Sequence, residues 1–556
     1  MTQPPNPPDS MRIHLGKAAI LAILFSVYST VAQTSTNSDV EAIRREMEQL
    51  RRDDAQRMQL LEQRLQELEK ASKAPVASNT IAVVSPTNAV PTPAERARLF
   101  ADEEFNEDTE TRDRVMAQEL NQPAKERLEH VLNNFIDIGG YVRAGYGRDN
   151  EGGPQVAFQA PGAFAKYRLG NEAEDYAELI FGKNWYGPDA FSLNAKERPD
   201  GTPDGPVART QVRVALYNPY SSPNGSSGTQ VTLPEAWAAV GNVFAAQPDL
   251  KFWAGNRFYR RQDIYIDDFF FYNMSGAGGG VEDVELPFGK MALAWIGNGA
   301  QSGVYSSDIA ALPDPNNLAG FSKQSFDLSL YDVNVPLGKL ELGVVYALEN
   351  SGKDALGQQG PDTQGVAVTV IHTRDHFLNE DGVNKLSVQY GTAAAKTFTS
   401  GYETVTATNG TFIVPDEPGS WRFRVTESFV AQPVEHFSIS PALVYQYTDS
   451  HNAQGIVQWF SAGARPIYHF NDFFSLAFEG GVDYVDDSGQ NRNGTLYKLT
   501  LAPQVSLGGK FFSRPVLRAY VTYAGWSEGF KGAVGGNDYV DQTHGWTWGA
   551  QMEAWW

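Results

Sequence analysis

Read by parity, the closing segment WTWGAQMEAWW sorts its side chains into two unlike faces. Successive side chains of an extended strand point to opposite sides. One side collects Trp546, Trp548, Ala550, Met552, Ala554 and Trp556, and the other Thr547, Gly549, Gln551, Glu553 and Trp555. The alternation recurs upstream. In FIDIGGYVRAGYG, Ile136, Ile138, Val142, Ala144 and Tyr146 share one face, and Asp137, Tyr141 and Arg143 the other. In YAELIFG, Ala177, Leu179 and Phe181 oppose Tyr176 and Glu178. In FFSRPVLRAYVTY, Phe511, Leu517, Ala519, Val521 and Tyr523 oppose Phe512, Arg514, Arg518, Tyr520 and Thr522. A half-buried strand of a soluble sandwich accounts for any one of these segments. Polar faces that repeatedly carry an aromatic among charges suit a wall between lipid and a water-filled barrel interior. Trp556 is then expected to face lipid and Trp555 the interior.

From residue 135 to the end, such segments are separated by Gly, Asn, Asp and Pro, with no long helical periodicity. FDLSLYDVNVP and KLELGVVYALE read as a hairpin turning at Leu337-Gly338. The glycine-rich run at 275–280 reads as a flexible loop rather than a dinucleotide cradle. Residues 93–134 form an acidic, helical segment interrupted at Pro123, and residues 73–92 a Pro/Ser/Thr-rich linker. Within 33–72, Val40, Ile43, Met47 and Leu50, then Met58, Leu61, Leu65 and Leu68, repeat a 3,4,3 spacing across a stutter near Asp54. These seams predict a short coiled coil that associates as a trimer or dimer. Within residues 1–32, Arg12, His14 and Lys17 precede an apolar core from Ala18 to Val27 and small residues around Ala32. That is the pattern of a secretory signal, with Met11 as an alternative start.

Composition narrows the function. The chain has 556 residues, a net charge of −21 and no cysteine, which excludes a disulfide framework and thiolate metal sites. The acidic balance argues against nucleic acid as a partner. Hydrophobic residues make up 42% while mean hydropathy is negative, so apolar side chains are dispersed as in strands rather than gathered into membrane helices. No HExxH, GxSxG or P-loop pattern occurs, and neither enzyme chemistry nor a metal or cofactor is expected. Acid pairs such as Asp267-Asp268 imitate a glycosidase site, but among 66 acidic residues chance adjacency accounts for them. Interior aromatics beside interior Arg, Asp and Glu suit a sugar: flat rings take its C–H faces and charged groups its hydroxyl rim. In a transport path those contacts must be repeated and individually modest.

GAFAKYRLGNEAEDYAEL, FWAGNRFYRRQDIYIDDFFFYNMSGAGGGVED, FFSRPVLRAYVTYAGW and WTWGAQMEAWW closely resemble stretches of the maltoporin family of outer-membrane sugar porins. The resemblance covers residues 135–556 and implies an all-β transmembrane barrel of 18 antiparallel strands, a homotrimer in outer-membrane lipid with an inward-folded third loop. It implies facilitated diffusion of maltodextrins or related oligosaccharides. The preceding helical extension resembles that of the sucrose-porin branch, which implies sucrose as an alternative substrate and periplasmic or cell-wall contact through the coiled coil. Location in the outer membrane of a Gram-negative bacterium follows, with the extension in the periplasm. Carried over by position, the aromatic path falls on Tyr141, Tyr176, Phe512 and Trp555. The polar track falls on Arg143, Arg168, Glu178, Arg261, Asp263 and Asp268, and the constriction-loop position on Phe270.

Departures from the maltodextrin-specific pattern accompany this. Val383 replaces a path phenylalanine, Pro234 a polar-track arginine and Phe270 a tyrosine. Ala157 and Ala173 stand where some members have a cysteine pair, and the segment between Asn218 and Thr232 has no tryptophan, with Tyr220 as its substitute. The alternatives to a sugar-selective porin are a general diffusion pore and a membrane anchor that tethers the cell wall.

Overall fold

The computed structural model describes residues 136–186, 205–218, 230–301, 320–351, 362–407, 410–413, 416–452 and 454–556. The expected signal, coiled coil, linker and acidic helical segment lie outside the described residues, as does Tyr220.

The first strands are β1 (Asp137–Asp149), β2 (Asp175–Tyr186), β3 (Val207–Asn218), β4 (Gln230–Gly241), β5 (Lys251–Arg257), β6 (Arg261–Ile264) and β7 (Phe269–Asn273). Then come β8 (Gly276–Leu286), β9 (Gly289–Gln301), β10 (Gly320–Val335), β11 (Gly338–Ser351), β12 (Thr363–Asp375), β13 (Val383–Thr392), β14 (Thr404–Ala407) and β15 (Gly410–Ile413). The last are β16 (Trp421–Val434), β17 (Phe437–Asp449), β18 (Ile456–His469), β19 (Phe474–Asp487), β20 (Arg492–Ser506), β21 (Val516–Trp526) and β22 (His544–Trp555). Leaving aside the two-stranded hairpins β6–β7 and β14–β15, they form one antiparallel sheet of 18 strands. Each pairs with its successor, and β22 pairs back onto β1. Closure leaves no unpaired edge, the condition for a sheet to stand in lipid.

Alternation decides what each wall carries. Ile138, Tyr146, Phe181, Val212, Trp295 and Trp548 are exposed on the outside, while Arg143, Glu178, Arg213, Arg424 and Glu553 are buried within. Aromatic pairs near strand ends, Trp421 with Tyr447 at 4.9 Å and Tyr523 with Trp546 at 4.6 Å, match the girdles of a membrane barrel. The two terminal tryptophans separate as alternation requires: Trp555 is 9% exposed and Trp556 50%. Backbone N–H groups of Trp556 and Gly140 each donate to the other's carbonyl at 3.1 Å, so the last residue completes the seam. A Cβ on Gly140 would lie 2.6 Å from the Trp556 indole, which is why glycine stands there.

Three sequence expectations are corrected. Phe511 does not continue the outer face of β21; the strand begins at Val516, and Phe511 lies in the preceding segment, buried against Phe512 and Tyr265. Parity holds only within an unbroken strand. The run at 275–280 is no flexible loop, since Gly276 opens strand β8. A Cβ at Gly278 would sit 2.0 Å from the Trp295 carbonyl oxygen, so glycine permits the close approach of β9. The hairpin between β10 and β11 pairs Val335 with Gly338, making Pro336 and Leu337 the turn, with Leu337 at φ 72°.

Two segments fold inside the wall. In the first, residues 150–174, the Tyr167 hydroxyl lies 3.0 Å from that of Ser461. Glu479 accepts from the Leu169 N–H at 2.9 Å, and Lys498 donates to the Leu169 carbonyl at 2.6 Å. The second is the β6–β7 hairpin, whose 3-10 turn Tyr265–Asp267 ends at Asp268 with φ 51°. Arg424 and Gln389 donate to the Phe271 carbonyl at 2.8 and 3.0 Å, and the Tyr272 hydroxyl donates to Asp327 at 2.6 Å. The Arg168 N–H donates to the Ile266 carbonyl at 3.0 Å, joining the two segments.

Candidate functional site

Register builds the site. Across the closing seam Tyr141 stands opposite Trp555 on β22 and Glu178 on β2, while Arg143 stands opposite Glu553 and Tyr176. Residues paired across antiparallel strands share a face, so the pairing lays aromatic and charged side chains side by side on the interior wall. Tyr176, Tyr141, Trp555 and Phe512 form one continuous row, with ring centres 5.9, 6.3 and 6.4 Å apart in that order. The ring planes of Tyr141 and Trp555 are nearly parallel, 17° apart. Phe512 reaches the row from the segment between β20 and β21.

Charges flank the row in ordered pairs. Arg143 meets Glu172 at 3.1 Å, also pairs with Glu174, and lies 5.9 Å from the Tyr176 ring centre. Arg168 meets Glu172 at 3.1 Å and donates to the Tyr141 hydroxyl at 3.0 Å. Although burial opposes its charge, the guanidiniums of Arg143 and Arg168 with Lys166 hold the Glu172 carboxyl down at about 2. Glu178 accepts from the Tyr176 hydroxyl and pairs with Arg213, which also meets Glu235 at 2.5 Å.

The remaining predicted residues sit on the inward hairpin. Arg261 is sandwiched between Phe258 at 3.8 Å and Phe270 at 4.1 Å. Burial pushes Asp263 up to about 6, against the pull of Lys385 and Arg261, with Asp268 adding to the rise. Asp268 faces Lys166 at 4.0 Å. The hairpin group joins the wall group through Phe258, which carries the Arg213 guanidinium at 4.8 Å and that of Arg261. Val383 is on β13, opposite Asp375 and Val430. Pro234 is on β4 beside an irregularity in its pairing with β3.

A family description, LamB porin, matches residues 136–556, the same span that forms the barrel. The chain belongs to the LamB porin family. It is therefore an outer-membrane porin, a channel-type protein. Among solved structures, Pseudomonas aeruginosa OccD3 (OpdP) is 9% identical, covering 76% of this chain and 91% of its own, with a TM-score of 0.37. Salmonella typhi OmpF in complex with daunomycin is 11% identical over 76% and 97%, with a TM-score of 0.36. The outer membrane protein opdK from Pseudomonas aeruginosa is 10% identical over 76% and 99%, with a TM-score of 0.38.

Sequence reasoning missed two members of this porin's interior cluster. Glu553 accepts from the hydroxyls of Tyr141 at 3.1 Å and Tyr265 at 2.9 Å, and from Arg168, Arg514 and Arg518 at 3.3, 2.8 and 2.9 Å. It shares a strand face with Trp555, which was the available signal. Tyr265 lies in the 3-10 turn just past the end of β6, where strand alternation no longer applies, so the sequence carried no signal for it.

Proposed function

We propose that this LamB-family porin is selective for sugars, passing maltodextrins or related oligosaccharides, sucrose included, by facilitated diffusion along Tyr141, Tyr176, Phe512 and Trp555. The observation that carries the reading is the unbroken row of these rings beside ordered guanidinium and carboxylate pairs. Each ring whose face a sugar reaches contributes about 1 kcal/mol of stacking, enough to retain a sugar briefly and release it onward. Arg143, Arg168, Glu178, Arg261, Asp263 and Asp268 serve the hydroxyl rim, and Phe270 narrows the passage with Arg261 stacked on it. A homotrimer, and a periplasmic coiled coil in contact with the cell wall, complete the proposal.

Titration of single channels in planar bilayers with maltose, maltotriose, sucrose and raffinose tests it. A saturable block of ion current is expected. An open current that no sugar blocks is the result for a general diffusion pore, and absence of a channel is the result for an anchor. Tyr176 and Phe512 keep part of their surface open to the interior, and Tyr176→Ala or Phe512→Ala is expected to weaken sugar block several-fold while changing ion conductance less.

A further inference from the structure

Tyr265, at the tip of the inward hairpin, is neither a wall residue nor a free stacking face. Its ring meets Phe512 at 5.2 Å and 79°, and Trp555 at 6.5 Å and 78°, both edge to face. The guanidiniums of Arg168 and Arg465 lie 4.8 and 5.4 Å from its centre, so cations already occupy its surroundings where a sugar would stack. Its hydroxyl donates to Glu553 at 2.9 Å and accepts from Arg514. Arg514 is itself tied to Glu553 at 2.8 Å and holds its guanidinium 4.0 Å from the Trp555 ring centre. The effect on the row is uneven. Tyr141 is 5% exposed and Trp555 9%, whereas Tyr176 and Phe512 at the two ends are half-buried.

We propose that Tyr265 determines the length selectivity of this channel: together with Arg514 it covers Trp555, while Tyr141 is tied down by Arg168 and Glu553, leaving stacking faces at the ends of the row. The inference rests on the sugar-porin reading above. A disaccharide that stacks on Tyr176 or Phe512 leaves the cover in place. A longer linear sugar that lies along the whole row must break the bond from Tyr265 to Glu553 and lift Arg514 from Trp555, which offsets the stacking it gains. Removing Tyr265 therefore strengthens the binding of long sugars, the reverse of removing a ring that stacks on sugar.

The test compares the full-length channel with its Tyr265→Ala and Tyr265→Phe variants in planar bilayers, using maltose, sucrose and linear glucose oligomers of increasing length. In Tyr265→Ala, block by the long oligomers is expected to tighten by roughly fivefold, as the one ring of Trp555 is uncovered, while maltose and sucrose change by less than about twofold. Tyr265→Phe keeps the ring and loses the tie to Glu553, so it shifts the long oligomers in the same direction by a smaller factor. A length dependence in conducting Tyr265→Ala channels that equals the parent's, or that falls below it, overturns the inference while the sugar reading stands. If Tyr265→Ala does not assemble, Tyr265→Phe decides, and a length dependence identical to the parent's overturns the inference. A parent channel that no sugar blocks overturns the sugar reading and this inference with it.

Discussion

Glu553→Gln removes one buried charge from the centre of five donors. The carboxylate is fully buried and accepts from Tyr141, Tyr265, Arg168, Arg514 and Arg518. Arg168 keeps Glu172 at 3.1 Å after the change. Arg514 and Arg518 have no other carboxylate partner among the described residues. Breaking a buried ion pair by removing one partner costs about 3–5 kcal/mol, because the remaining charge is left uncompensated. Here two guanidiniums lose their partner, but the amide oxygen of Gln still accepts one or two of the same bonds, which places the expected loss near the lower end, about 3 kcal/mol. Urea unfolding of the barrel in phospholipid vesicles, followed by tryptophan fluorescence, measures it. Glu553→Asp keeps the charge and is expected to lose less. A loss below about 1 kcal/mol in Glu553→Gln would refute the reasoning, since it would mean that water in the bore, not this carboxylate, compensates the arginines.

At the seam, Gly140→Val forces a side chain into the space held by the Trp556 indole, whose nearest atom would lie 2.6 Å from the new Cβ. A destabilisation of about 1–3 kcal/mol is expected, seen as a smaller fraction of heat-resistant folded barrel on unheated gels. Because Asp263 is pushed up to about 6, it carries its charge above that pH and loses it below. Ion selectivity, read as reversal potential, is expected to move toward anions as pH falls from 7 to 5, and Asp263→Asn is expected to abolish that step. Val383 offers no flat face where the aromatic pattern has a phenylalanine, so Val383→Phe is expected to steepen the gain in block with glucose-oligomer length by about 1 kcal/mol of stacking; an identical length dependence shows that this position does not touch the sugar.

The alternation of faces was legible without coordinates because it is fixed by local covalent geometry: whichever strand pairs with which, residues two apart lie on one side. That alone separated Trp555 from Trp556 and put Tyr141, Arg143, Tyr176 and Glu178 together on the inner face. Where the strand stops, the rule has no content, and Phe511, one residue before Phe512 and ahead of β21, lies buried instead of facing lipid. Glycine at 276–280 was ambiguous in the sequence, since a residue without a side chain suits both a loop and a tightly packed strand, and only the approach of β9 decided between them. The cluster around Glu553 was out of reach for another reason. Tyr265 and Glu553 are 288 positions apart, and their meeting depends on closure of the barrel and on the depth to which the β6–β7 hairpin folds inward. Local pattern says which side chains face the interior; which of them touch across it is set by register, closure and the path of the inward segments, and none of these is a property of any short stretch of chain.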